Sequence, residues 1–172
     1  MTASSAWRPG PPPAPAVTGH RPAGPAGATA DEPFRVRSTV PADPSWAAAV
    51  RRLVAEQFAR LPLSADQRDG AVLAADELFA NAVKHARTDP DDMVTVTVEW
   101  SAHTLRVTVA DSSPVLPRPR LRPADADADA ESGRGLAIVA ALADDWGMAP
   151  PEPGRPGKRV WFTLRRRGGT AP

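Results

Sequence analysis

Asp76-Glu77-Leu78-Phe79-Ala80-Asn81-Ala82-Val83-Lys84-His85-Ala86-Arg87-Thr88, near the middle of a 172-residue chain, reads as helix. Alanine, leucine, lysine and glutamate favour that state, and neither glycine nor proline interrupts the run. Helical residues three or four apart share a face. Glu77 and Asn81 therefore stack one turn apart, with Lys84 and His85 on the following turn. Val72, Ala75, Phe79, Ala82, Val83 and Ala86 supply apolar surface beside this polar row. A carboxylate can take a proton, an amide oxygen can ligate magnesium, and a lysine can meet phosphate. A solvated face of an ordinary amphipathic helix is the competing interpretation, and this helix alone does not decide between them.

Working outward, Ser64-Ala65-Asp66-Gln67 is a capping box that starts the same helix. Before it, Asp43 and Pro44 have the chemistry of an N-cap and a first helical residue. Trp46, Val50, Leu53, Val54 and Phe58 then give a helical apolar stripe to about Arg60, which Pro62 breaks. Phe34 to Val40 alternates as a strand ended by Pro41. After the long helix, Val94, Val96 and Val98 alternate through 93–100, which pairs as a hairpin with 103–110 across a turn at Ser101 and Ala102. Lys158 to Arg165 supplies the last strand. These elements predict an α+β fold, a two-layer α/β sandwich with a mixed, mainly antiparallel sheet and helices on one face.

Two further stretches carry chemistry. Glu131-Ser132-Gly133-Arg134-Gly135-Leu136 opens a second helical run, expected from Leu136 to about Asp145. Two glycines just before a helix let backbone N–H groups approach an anion, and the helix N-terminus adds partial positive charge. Arg134 adds a cation. The third glycine of a dinucleotide fingerprint is replaced by Ile138, and no G-K-[ST] occurs, so neither the Rossmann nor the Walker pattern applies. The alternating residues Leu105, Val107 and Val109 lead to Asp111, where the chain breaks into Ser112-Ser113-Pro114. A carboxylate there can accept from the exocyclic amine of adenine; its simpler role is to cap a turn. The proline-rich and acidic stretch from Ser113 to Ser132 reads as a short mobile lid between these two motifs.

With the three motifs in this order, the chain resembles the GHKL superfamily of ATP-binding proteins, which includes gyrase and the histidine kinases. It is most similar to the small anti-sigma-factor serine/threonine kinases of actinobacterial type. The resemblance spans about residues 34 to 167 and implies the Bergerat-type version of the sandwich. Glu77 through Asn81 resembles the N box, Asp111 the aspartate of the first glycine box, and Gly133 to Leu136 the second glycine box. Trp146-Gly147 and Gly157-Lys158-Arg159-Val160-Trp161 resemble the closing hairpin. What this implies is a serine/threonine kinase using ATP and Mg²⁺. Glu77 is the implied general base and Asn81 the Mg²⁺ ligand. Asp111 is the implied adenine reader, Gly133, Arg134, Gly135 and Leu136 the phosphate turn, and Lys84 a basic nucleotide contact. The implied partners are a STAS-like anti-sigma-factor antagonist as acceptor and a sigma factor, with a homodimer also compatible. Three departures stand out. Asp111-Ser112-Ser113-Pro114-Val115 contains no glycine, Ser132 stands where relatives often have glycine, and Lys158 stands where many have threonine. They motivate the alternative of a catalytically inactive, nucleotide-gated protein-binding module.

Composition narrows the classes. Residues 1 to 32, rich in Pro, Gly and Ala, are expected to be a disordered tail, 33 to 167 the folded domain, and 168 to 172 a flexible terminus. The absence of cysteine removes disulfides and cysteine metal sites. His20, His85 and His103 are too scattered for a local metal motif, and none reads as a phospho-acceptor. A net charge of +1 gives no bulk attraction to nucleic acid or membrane. No apolar run approaches the roughly 20 residues a bilayer requires. The expected location is the cytoplasm.

Overall fold

Ser64 and Gln67 exchange both hydrogen bonds of the capping box: Gln67 N–H donates to Ser64 Oγ at 3.2 Å, and Ser64 N–H to Gln67 Oε1 at 3.3 Å. The computed structural model describes residues 16–18, 32–86, 89, 91–113, 134–154 and 156–167. Its elements in chain order are β1 (Ala16–Thr18), β2 (Phe34–Pro41), α1 (Ala47–Phe58), α2 (Ala65–Ala86), β3 (Met93–Ser101), β4 (Thr104–Asp111), α3 (Arg134–Leu142), β5 (Asp145–Ala149) and β6 (Lys158–Arg165). Asp43 acts as expected: its Oδ1 accepts from Ser45 N–H at 2.8 Å and opens a 3-10 turn, Pro44–Trp46, that runs into α1. Gly133, the segment read as a lid apart from Ser113, and residues 168–172 lie outside the described residues.

The strands form one sheet in the order β1-β2-β3-β4-β6-β5, and every pairing is antiparallel. Val96, Val98 and Trp100 of β3 align with Val109, Val107 and Leu105 of β4 and with Val160, Phe162 and Leu164 of β6. All are buried, and with Val50, Val54 and Phe58 of α1 and Leu78, Phe79, Ala82 and Val83 of α2 they form the core. Alternation along the strands thus puts one face under the helices. No described helix is long and apolar enough to cross a membrane.

Three details depart from the sequence expectation. Ala16–Thr18, inside the stretch read as a disordered tail, pairs with Arg37–Thr39, which gives the outer edge of β2 backbone partners. α3 spans Arg134–Leu142, beginning two residues earlier than expected and ending before Asp145. It stops because Asp144 joins the sheet: its N–H donates to Thr163 O at 3.0 Å, and its Oδ2 accepts from Arg165 N–H at 2.6 Å. The β3–β4 turn falls on Ala102 and His103, one residue later than expected, since Ser101 pairs with Thr104.

α2 lies over β4, β3 and β6. Gln67 Nε2 donates to Arg165 O at 2.8 Å, which pins the start of the helix to the end of the strand. From Gln67 to His85 the helix rises about 27 Å, and the strand from Arg165 back to Lys158 covers about 24 Å. The end of α2 therefore arrives beside Lys158.

Both turn residues have positive φ, 47° at Ala102 and 63° at His103. This matches a type I′ turn, which favours Asn followed by Gly. Ala102→Asn should raise the unfolding free energy by up to about 1 kcal/mol, because asparagine tolerates the left-handed region that alanine resists. Urea denaturation measures this, and an unchanged or lower midpoint would contradict it.

Candidate functional site

The polar row of α2 meets a different element at each end. At the first end, Glu77 lies against the opening turn of α3. A Cβ built on Gly135 would stand 2.7 Å from Glu77 Oε2, so the carboxylate occupies the space that any larger residue would need. Leu136 and Val139 anchor α3 in the core, while Arg134 is exposed. Glu77 and Asn81 are half-buried, and Lys84 is exposed at the end of the helix. The partial positive charge of the α3 N-terminus therefore faces the acidic end of the α2 row.

At the other end lies a buried ion pair. Lys158 Nζ stands 2.8 Å from Asp111 Oδ1, with the two side chains 2% and 1% exposed. Ser113 N–H donates to the same oxygen at 2.9 Å. Sheet register creates this pair, because Asp111 and Lys158 are directly opposed where β4 ends and β6 begins. Gly157 allows the approach: its φ is +113°, and a Cβ there would fall 1.8 Å from Asp111 O. Burial pushes the Asp111 carboxyl above its ordinary value, against the pull of Lys158 and of the Ser113 N–H.

His85 joins this end. Burial lowers its pKa below 6.5, and the Lys158 ammonium adds to the effect, while Asp111 acts in the opposite sense. Asn81 lies one turn from Glu77 and one from His85, so the row Glu77–Asn81–His85 connects the two ends over about 12 Å. A ligand touching both needs an anionic end at α3 and a hydrogen-bonding end at Asp111.

The structure thus brings Glu77 to Gly135 and places Asn81 between them and Asp111. Leu136 serves as packing, Arg134 and Lys84 stand in solvent, and Gly133 is outside the described residues. His85 was on the polar row in the sequence but carried no assigned role, although its spacing of four from Asn81 was the available clue. The contact of Lys158 with Asp111 spans 47 residues and has no local signature.

On the helix-free face, a cavity of about 210 Å³ lies beneath the β5–β6 connection, lined by Arg37, Thr95, Ala110, Glu152 and Arg159 among others. Arg37 holds Glu152 through two contacts, of 3.0 and 3.3 Å, and Arg159 Nε donates to Pro150 O at 2.7 Å. These bonds fix the connection that delivers Gly157 and Lys158. Asp111 and Lys158 reach this cavity, but Glu77, Asn81 and Gly135 do not line it, so it is separate from the place where Glu77 meets α3.

A metal at this site would have few protein ligands. Among the described residues no three His, Cys, Asp or Glu side chains are grouped to hold an ion. Mg²⁺ keeps several waters and takes few protein ligands beside substrate phosphates, and the oxygen donors of the α2 row that would hold it are Asn81 and Glu77.

Compared with known families, residues 40–164 match the model of the histidine kinase-like ATPase domain. That span contains Glu77, Asn81, His85, Asp111, Gly135 and Lys158. No curated protein matches the chain.

Two measurements probe this geometry. Gly135→Ala should fold with a stability within about 1 kcal/mol of wild type, because the group it displaces is the end of a rotatable side chain and alanine favours helix. Gly157→Ala should cost at least about 2 kcal/mol, because its new atom meets backbone at a positive φ. Equal stabilities would refute the assigned packing. The folded protein keeps His85 neutral to lower pH than the unfolded chain does. Its contribution to stability is therefore complete above about pH 6.5 and declines as pH falls through the depressed folded value. An NMR titration should find the His85 midpoint below 6.5 and rising in Lys158→Met. A midpoint unmoved by that substitution would separate the two residues.

Proposed function

The chain belongs to the histidine kinase-like ATPase family, an ATP-binding fold, and on that premise we propose that it is an ATP-dependent serine/threonine protein kinase. Its acceptor is a serine or threonine hydroxyl of a STAS-like anti-sigma-factor antagonist, and a sigma factor is its second partner. The cytoplasm is the proposed place of action, and a homodimer is compatible with it. The observation that carries this reading is the position of Glu77 against the first turn of α3, with Asp111 at the far end of the same helix row.

In this reading the turn that ends in Gly135 and Leu136 offers backbone N–H groups to phosphate, and Asn81 supplies an amide oxygen to Mg²⁺. When bound, Mg²⁺ neutralises phosphate charge. Glu77 orients the acceptor hydroxyl and takes its proton. The acceptor oxygen bonds to the γ-phosphorus as the bond to the bridging oxygen breaks, and ADP leaves with that electron pair. Positioning and charge compensation supply most of the rate in such transfers. Asp111 accepts from the adenine amine and fixes the base.

A second reading, a nucleotide-gated binding module without transfer, is favoured by one feature: Asp111 already holds Lys158, in a motif without glycine. Nucleotide would then shift affinity for a partner by differential binding. Incubation with Mg-ATP and a STAS-like antagonist, followed by intact-mass spectrometry, distinguishes the readings. The kinase reading expects one added phosphoryl group on the antagonist. Glu77→Ala should slow transfer by about 10²–10⁴-fold while calorimetry finds ATP affinity almost unchanged. Parallel loss of binding and transfer would remove Glu77 from the role of base.

A further inference from the structure

The buried pair of Lys158 and Asp111 has hydrogen-bonding capacity to spare. Both bonds to the Asp111 carboxylate, from Lys158 Nζ and from Ser113 N–H, fall on Oδ1, and Oδ2 accepts none among the described residues. Lys158 spends one of its three N–H donors on Asp111 and has no other bond among the described residues. Taking an ammonium and a carboxylate out of water is costly unless their remaining sites find partners. A pair serving only the fold would be expected to have those sites filled. Here an unspent acceptor and unspent donors lie side by side, beside His85 at the end of the α2 row.

The edge of adenine carries the matching pattern, an amine donor at C6 next to the ring acceptor N1. Proteins that read a base by this edge place an acceptor and a donor against it. We infer that Lys158 is a specificity-determining residue that donates to N1 of adenine, while Asp111 Oδ2 accepts from the C6 amine. Ser113 N–H and Lys158 hold Oδ1, and so leave Oδ2 as the reading atom. Gly157 lets the backbone of β6 close onto Asp111, which carries the ammonium to the carboxylate. The residue that departs from the family's threonine thereby becomes half of a two-point reader. This inference rests on the ATP-binding reading above and deepens it.

The test is calorimetric binding of Mg-ATP and of the Mg complex of 1-deaza-ATP, in which carbon replaces N1. Wild-type protein should bind 1-deaza-ATP about tenfold more weakly than ATP, the worth of one charge-assisted hydrogen bond. Lys158→Met should bind ATP about tenfold more weakly than wild type and should not distinguish the two nucleotides. Equal affinity of wild type for both, or discrimination retained by Lys158→Met, would overturn the assignment while leaving ATP binding intact. Failure of wild type to bind either nucleotide would overturn the ATP reading and this inference with it. The wild-type comparison needs no variant, so it decides even where Lys158→Met fails to fold.

Discussion

Burial of one side of α2 against the sheet is the constraint from which the site follows. Leu78, Phe79, Ala82 and Val83 are almost fully buried, and they fix the rotation of the helix about its axis. Once that rotation is set, Glu77, Asn81 and His85 must share the neighbouring stripe of the helix. The bond from Gln67 to Arg165 O sets the position of the helix along β6. Rotation and position together decide that Glu77 meets Gly135 and that His85 meets Asp111 and Lys158. The site is thus built on rigid elements.

The second determinant is electrostatic. Strand register opposes Asp111 to Lys158 inside the protein, where screening by water is weak. Removing one partner would leave the other charged and uncompensated, which is far more costly than the pair itself is stabilising. Lys158 therefore ties the stability of the β4–β6 end to the charge state of Asp111. His85, held neutral by burial and by Lys158, keeps a second cation from accumulating there near neutral pH.

Much of this was legible in the sequence because it is local. The capping box at Ser64 and Gln67, the Asp43–Pro44 start and the alternating valines of β3 are decided by neighbours a few residues apart, and each formed as expected. The order of Glu77, Asn81, Asp111 and the glycine turn gave the fold family for the same reason. What escaped is non-local or conformational. Arg37 and Glu152 are 115 residues apart and meet only because the β5–β6 connection folds over the sheet. The Asp111–Lys158 pair needs the sheet register, which no single stretch encodes. The turn at Ala102 and His103 lacks the glycine that normally advertises positive φ. Asp144 left α3 because the sheet offered its backbone and carboxylate partners that helix propensity does not anticipate.

The placement of ligand that we propose is a nucleotide lying along the α2 row, with its purine at Asp111 and its phosphates at the opening turn of α3. A crystal structure of the protein grown with Mg²⁺ and a non-hydrolysable ATP analogue tests this directly. The account expects density between α2 and α3, with the metal on Asn81 and the base on Asp111. Nucleotide bound instead in the cavity beneath the β5–β6 connection, or a cleft left empty at saturating nucleotide, would contradict it.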